Sequence, residues 1–338
     1  MQIAIIGAGI AGLACARQLH AAGHTVTIFE KCQWVGGRIV TQDTEFGGFD
    51  YGAQFFTALS SEFKNEIASW REAGLVAPWH GKLVRLDDGV IKPGRPSSQR
   101  FVAMPGMGEL TEYLAQGLDI RTGQTVELID PTGKAGGQKW LLTVQADGAI
   151  RKEQLGPFDA VVVAAPANDA ARLLKSVPTL ANKLEKTEFV PCWSLMLAFQ
   201  EPLDLSYDGA WVNHHRLAWI TRDGSKPDRR EGERWVGLAR VEWSEEHLND
   251  SPERARDKLL KAFQEATGSK VHPIHAVARF WNYAQSTKQL NKSCLWDEKL
   301  KIGACGDWFT SGLEGSGQIE HAFLSGKVLA ERIAGQVA

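Results

Sequence analysis

Apolar and polar positions alternate along this chain with two different periods, and the changes of period mark its elements. The run QIAII (Gln2 to Ile6) is short and mostly apolar, as expected of a strand buried on both faces of a parallel sheet. After GAGIAG, a helical pattern runs through Leu13, Ala16, Arg17, Leu19 and His20, with Gly23 placed to end it. TVTIFE then alternates as a second strand, so the opening forms a strand–helix–strand unit of about 30 residues.

A second helical pattern covers Ser60 to Ala73. HGKLVRLDDGVIKP sets Asp88-Gly89 between two apolar arms, a hairpin signal. GMGELTEYLAQGL (Gly106 to Leu118) reads as a helix feeding the strand DIRTGQTVELID, and KWLLTVQADG with AIRKEQLG continues as a meander. FDAVVVAAP (Phe158 to Pro166) is another buried strand. Between Ala167 and Ser293, a helix in RARDKLLKAFQEATG mixes with strands in WSLMLAFQ, RWVGLARVEW and HAVARFWNY. KLKIGACGDW supplies a last strand and QIEHAFLSGKVLAERIAG a closing helix.

Strands of the buried type stand at both ends and at FDAVVVAA, without internal repeats or low-complexity linkers. The predicted fold is therefore α/β: a discontinuous, Rossmann-like nucleotide domain threaded by an α+β substrate domain on a mixed or antiparallel sheet. Its boundaries fall at 1–56, 99–175 and 296–338 for the first domain, and at 57–98 and 176–295 for the second.

Composition narrows the function classes. A chain of 338 residues with 43% hydrophobic and 23% charged residues suits two packed domains of a globular enzyme. A net charge of -2, with no long Lys/Arg run, gives no reason to expect a nucleic acid or an anionic membrane as partner. The densest basic cluster, KPDRR (Lys226 to Arg230), reads as a solvated loop. Five scattered cysteines without a CxxC pair point away from disulfides and structural zinc, toward a reducing, cytoplasmic setting. No segment reaches the ~18 apolar residues of a membrane span. The pair His214-His215 lacks a carboxylate or cysteine at ligand spacing, so no metal site is expected.

Gly7, Gly9 and Gly12 occupy the three glycine positions of a dinucleotide fingerprint: tight turn, close approach of the pyrophosphate, and helix-on-strand packing. Ile10 and Ala11 open the helix whose positive end faces the phosphates. Glu30 ends the second strand eighteen residues after Gly12, placed for a ribose diol, with Lys31 beside it. Next, EKCQWVGGRIVT brings Gly36, Gly37 and Arg38 past the same phosphates.

This second glycine motif resembles that of the flavin amine oxidase superfamily. The segment IGACGDWFTSGLEGSGQIEHAFLSG is similar to that superfamily's terminal motif. The resemblance implies FAD, with Gly306 and Asp307 near the ribityl chain or phosphate. It also places Gly317, Gln318 and Ile319 at a helix start facing the flavin, and Val126 and Ala164 along the nucleotide. A flavin-linking cysteine motif is absent, so non-covalent FAD is expected.

GFDYGAQFFTALSSEF, MPGMGEL, WSLMLAFQEPL, LAWITRDGSKPDR, RWVGLARVEWS and GDW together resemble the bacterial renalases over essentially the whole chain. Renalases are FAD enzymes that oxidise 2- and 6-dihydro isomers of NAD(P), misreduced forms that inhibit dehydrogenases. Hydride passes to flavin N5, and oxygen or a quinone-type acceptor reoxidises the flavin. By this resemblance Gly52, Ala53, Gln54 and Phe55 lie beside the isoalloxazine, with Gln54 as a hydrogen-bonding partner. Trp281, Asn282 and Tyr283 line a substrate pocket that Phe55 shares, and Arg222 and Lys226 either meet substrate phosphates or are solvated. Gln54 and Tyr283 are the candidates nearest to catalysis. A dihydropyridine is already a hydride donor, so no general base is required. Trp219, Trp243 and Trp281 serve either that pocket or the core; twelve Trp in the chain suit both.

The sequence departs from renalases at Leu238, where some relatives carry histidine, and in a longer loop over 308–317. The main alternative is a flavin-dependent oxidase of a small amine. That branch carries a lysine near flavin N5, and the aligned position here is Ser194. A flavin-binding protein without turnover is the second alternative.

Overall fold

In the computed structural model, described over residues 1–94, 98–133, 137–310 and 317–335, the strands Gln2–Ile6 and Thr25–Phe29 pair in parallel. They occupy the middle of a six-stranded sheet. Its order is Leu295–Asp297, Ile302–Ala304, Ala160–Val163, Gln2–Ile6, Thr25–Phe29, Asp119–Arg121, parallel except at the first pair. The apolar run works as the pattern demands. Ile3 and Ile5 face the helices Ile10–Ala21 and Gln318–Ile333, while Ala4 and Ile6 face a three-stranded sheet and the helices over 167–184. This is the α/β fold expected, with a Rossmann-like core assembled from sequence-distant pieces.

Val76–Trp79 and Arg100–Ala103 pair as a small two-stranded sheet, and the other strands build a seven-stranded sheet. Its order is His275–Lys288, Glu188–Phe199, Glu233–Ala239, Leu217–Arg222, Gly209–Asn213, Leu83–Asp87, Val90–Pro93. It is mixed, since Gly209–Asn213 runs parallel to Leu83–Asp87 and every other pair is antiparallel. Asp88 and Gly89 both take positive φ (49° and 79°), the conformation of a primed two-residue hairpin turn. The helix Pro252–Thr267, capped by Ser251, buries Leu259 and Phe263 against the outer face of this sheet. The inner face turns toward the nucleotide domain through Met196, Ala198 and Val236, which pack on Val40, Phe49 and Tyr51.

Two expected strands are cut short. DIRTGQTVELID breaks at Gly123, whose φ is 64°. Asp119–Arg121 stays in the six-stranded sheet, and Gln124–Thr132 leaves to pair with Lys139–Ala146. RWVGLARVEW ends as a strand at Ala239, and Val241–Glu246 is helical. Burial of Trp243 in the core beneath the helix Pro252–Thr267 favours that turn, and the core reading of this tryptophan holds.

The basic cluster KPDRR is not a solvated loop. Lys226 Nζ lies 2.8 Å from Asp50 Oδ2 and also bonds Asp223, and Arg229 Nη2 lies 2.7 Å from Asp50. The side chains of Lys226, Asp50 and Asp223 are wholly buried. Asp50 further accepts from Met107 N at 2.9 Å and Thr41 Oγ1 at 2.7 Å. Burial pushes its carboxyl up, but the charges of Lys226 and Arg229 and these hydrogen bonds outweigh that and hold it below the usual carboxylate range. Lys226 therefore cannot meet substrate phosphates; it ties the seven-stranded sheet to the segment that follows the second glycine motif. Removing one partner from such a buried cluster strands the others. Lys226→Met is expected to cost about 3–5 kcal/mol of unfolding free energy by denaturant titration.

Candidate active site

The site starts where two backbone turns cross. A Cβ on Gly12 would lie 2.1 Å from the Gly7 carbonyl oxygen, so only glycine lets the helix Ile10–Ala21 start this close to its strand. Gly36, at φ 104°, donates its N–H to Ala8 O at 2.9 Å and forms a β-bridge with Gly9. Gly9 itself faces open space: a Cβ there would meet nothing within 4 Å. The amino end of the helix thus has free room in front of it, the arrangement a pyrophosphate needs. Glu30 is held at the strand end by Ala8 N (2.7 Å) and Cys32 N (2.8 Å), which fix its carboxylate at the cavity wall.

From here a cavity of about 1790 Å³ runs between the two large sheets. A single small-ligand pocket holds roughly 300–1,000 Å³, so this one has room for a dinucleotide and a second molecule. Gly7, Gly9, Ile10, Ala11, Glu30 and Lys31 line its first part. Gly36, Gly37, Arg38, Val126 and Ala164 line its middle. Gly52, Ala53, Gly306, Asp307, Gln318 and Ile319 face it further along, opposite Trp281, Asn282 and Tyr283. Gly12 lies behind the wall, and Gly317 caps the helix Gln318–Ile333 without lining the cavity.

Arg38 and Asp307, expected to contact phosphate and ribityl separately, also hold each other. Two parallel bonds of 2.8 and 2.7 Å join the guanidinium to the carboxylate, and Arg38 lies 5.6 Å from the centre of the Phe189 ring. This pairing ties the second glycine turn to the strand end at Gly306, and both residues still face the cavity. Open space at Gly9, a fixed acid at Glu30 and this charged pair fit FAD.

Three expectations move. Gln54 does not line the cavity; its amide nitrogen donates to the carbonyls of Asp50 and Gly52, and its Oε1 is buried without a partner. Phe55 also sits behind the wall, between Trp79 and Trp219 with ring centroids 5.9 Å from each, under the Arg100 guanidinium. Arg222 lies away from the cavity, 3.4 Å from Glu233, 3.8 Å from Asp208 and stacked over Trp235. The partners of Phe55 and Arg222 come from other strands, whereas those of Gln54 are main-chain carbonyls two and four residues before it.

The sheet wall carries Cys192, Arg279 and Tyr51, which the sequence reading passed over, beside Trp219 and Leu238, which it singled out; all five line the cavity. Trp219 answers to both readings, being 7% exposed yet part of this wall. Trp281 stacks on Tyr51 at 5.1 Å and donates its indole N–H to the Tyr51 carbonyl at 3.1 Å. Between Trp281 and Gln285 the register slips by two residues against Cys192 and Val190. This bulge lets the consecutive Trp281, Asn282 and Tyr283 all reach the cavity, where a regular strand would alternate them. Burial drives the Cys192 thiol up to about 12, so it carries no reactive thiolate at neutral pH. Ser194 pairs with Leu238 across the sheet and is fully buried, its hydroxyl without a partner. The longer loop expected over 308–317 lies mostly outside the described residues. Among the described residues no three His, Cys, Asp or Glu side chains group as a metal site, and no helix is long and apolar enough to cross a membrane.

Comparison with known proteins agrees with this fold. Residues 5–69 match the NAD(P)-binding Rossmann-like domain, and residues 89–334 match the flavin containing amine oxidoreductases. The flavin-containing monooxygenase FMO GS-OX-like 5 of Arabidopsis thaliana is 29% identical over 177 residues, 48% of this chain and 35% of its own length. The match thus spans about a third of that relative. A 4,4'-diapophytoene desaturase of Staphylococcus haemolyticus is 52% identical over 52 residues, 15% of this chain and 10% of its own. Among solved structures, a protein described as a protoporphyrinogen oxidase from Exiguobacterium superposes with a TM-score of 0.77 at 14% identity, covering 99% of both chains. Cyclohexylamine oxidase from Brevibacterium oxydans gives a TM-score of 0.72, also at 14% identity and 99% of both chains.

The contact at Gly12 sets a direct test. Gly12→Ala is expected to purify folded by circular dichroism but without yellow colour, and to stay colourless after incubation with FAD. Flavin retained at the wild-type ratio would show that the close approach is not needed.

Proposed function

The chain belongs to the flavin containing amine oxidoreductase family and is an FAD-dependent oxidoreductase, and we propose that its electron donor is a 2- or 6-dihydronicotinamide dinucleotide, the donor class of the renalases its sequence resembles. The observation that carries this reading is the pair Ser194–Leu238 on the sheet wall: a buried hydroxyl and an alkyl chain where the amine-oxidising branch places a lysine. An amine must shed a proton before or while it is oxidised, and the neighbouring Cys192 thiol is too weak an acid to supply a base. A dihydropyridine needs no base. It needs a flat apolar place against the flavin and exclusion of water.

FAD, held by the two glycine turns, Glu30 and the Arg38–Asp307 pair, would supply the hydride acceptor, with oxygen or a quinone-type compound as the final acceptor. The chain's own residues position the donor. Trp281, locked by its stack on Tyr51 and its hydrogen bond to the Tyr51 carbonyl, offers a rigid ring at the cavity wall. Asn282 and Tyr283, brought in by the bulge, offer polar groups for a carboxamide. We hold FAD to be non-covalent: Cys305, the one cysteine of segment 296–338, is fully buried.

A second reading draws on the cavity rim, where Asp43, Glu109 and Glu112 stand together. Burial, then Glu112 and Asp43, push the Glu109 carboxyl up. Such a rim would attract a cationic small amine, and cyclohexylamine oxidase shares the fold.

One experiment separates the two. In anaerobic mixing of the holoenzyme, borohydride-generated NADH isomers are expected to bleach the flavin within seconds, and small primary amines are not. Bleaching by amines, with none by the dihydronicotinamides, would replace the first reading by the second.

A further inference from the structure

We propose that Arg279 is a specificity-determining residue that binds a phosphate of the substrate, so that this cavity selects donors carrying an anionic nucleotide tail over the bare dihydropyridine ring. The proposal rests on the reading of the donor as a dihydronicotinamide dinucleotide and names how the tail is recognised.

Arg279 stands two residues before Trp281 in the strand His275–Lys288, and the register between them is regular: Arg279 opposes Ser194 and Trp281 opposes Cys192. Both side chains therefore point to the cavity face, about 7 Å apart along the strand. That spacing is comparable to the reach from a nicotinamide ring across its ribose to the 5′-phosphate. A ring held at Trp281 would bring its first phosphate to Arg279.

The guanidinium is available for this. Arg279 is exposed and lines the cavity, its Nε 3.4 Å from Gln42 Oε1. Among the described residues no carboxylate stands within ion-pair distance of it. Arg38, Arg222 and Arg229, by contrast, are each committed to a carboxylate. Gln42 belongs to a ribbon paired through Gln42 and Phe49, and this ribbon sorts the charges at the rim. Gln42 faces Arg279, whose charge reaches the Tyr51 hydroxyl, while the adjacent Asp43 acts on Glu109. Glu45 acts on His275, and among the described residues neither Asp43 nor Glu45 forms an ion pair with Arg279. A planar, unpaired guanidinium at a cavity mouth suits a phosphate, which it can grip through two parallel hydrogen bonds.

The test uses the holoenzyme and Arg279→Gln, an exposed position where folding is not at stake. Stopped-flow reduction is measured with the dihydro isomers of NADH and with the same isomers of 1-methyl-dihydronicotinamide, which carries no phosphate. The substitution is expected to raise the concentration of dinucleotide giving half-maximal reduction rate at least about tenfold, at nearly unchanged limiting rate. It is expected to leave the 1-methyl donor unaffected, and Arg279→Lys is expected to recover part of the loss. Equal effects on both donors, or no effect on either, would overturn the proposal. Calorimetric titration of the oxidised holoenzyme with nicotinamide mononucleotide provides a readout independent of turnover. If no dihydronicotinamide reduces the wild-type flavin, the donor reading fails. Arg279-dependent binding of the mononucleotide would then still support the phosphate site, and binding indifferent to Arg279 would remove it.

Discussion

Everything in this molecule is arranged around a place where two stretches of main chain come closer than side chains permit. The turn at Gly7–Gly12 and the turn at Gly36–Gly37 touch through the Gly9–Gly36 bridge, and Gly12 sits against a carbonyl oxygen. Backbone N–H groups can be offered to a phosphate only where no Cβ stands in the way. Once these turns are fixed, the positions of Glu30 and Arg38 follow, because each stands one strand end or one residue away. The Arg38–Asp307 pair then carries the constraint to the other end of the cavity.

The opposite wall is held by a different kind of force. A buried cluster of two acids and two bases fastens the seven-stranded sheet to Asp50. One residue further, Tyr51 and Trp281 stack and share a hydrogen bond. Apolar packing of the same area would be as stable but would leave the sheet freer to slide, whereas charges with fixed partners define one seating. Chemistry that depends on two flat rings meeting at transfer distance benefits from such a seating.

The strand–helix–strand opening, the second glycine turn and the Asp88-Gly89 hairpin were legible in the sequence because each is set by neighbouring residues. Five of the seven strands that form the wall were found in outline, and Gly209–Asn213 and Leu217–Arg222 were not. RWVGLARVEW ran on too far there, as DIRTGQTVELID did in the nucleotide domain; the burial of Trp243 and the turn at Gly123 decide those ends, and only tertiary packing gives them force. Lys226 and Arg222 look like free cations in sequence; their carboxylate partners Asp50 and Glu233 lie 176 and 11 positions away and meet them only in the folded sheet. Gln54 stands in a segment that does border the cavity, yet two main-chain carbonyls capture its amide. Arg279 had a signal that went unused, since alternation from Trp281 puts it on the same face. The bulge that admits three consecutive residues leaves no such mark.

The core of the nucleotide domain also has a history written into its pairing. The opening strand finds one neighbour in Thr25–Phe29 but the other only at Ala160–Val163, and that neighbour is covered in turn by Ile302–Ala304. The helix Gln318–Ile333 then presses Gly326 onto the Ala11 carbonyl, at a distance a Cβ would close to 2.1 Å. On the ribosome, the phosphate turn therefore emerges well before the helix that finishes it. Until some three hundred further residues have been made, its apolar flanks stay uncovered, and the nascent protein has reason to need shelter during that interval.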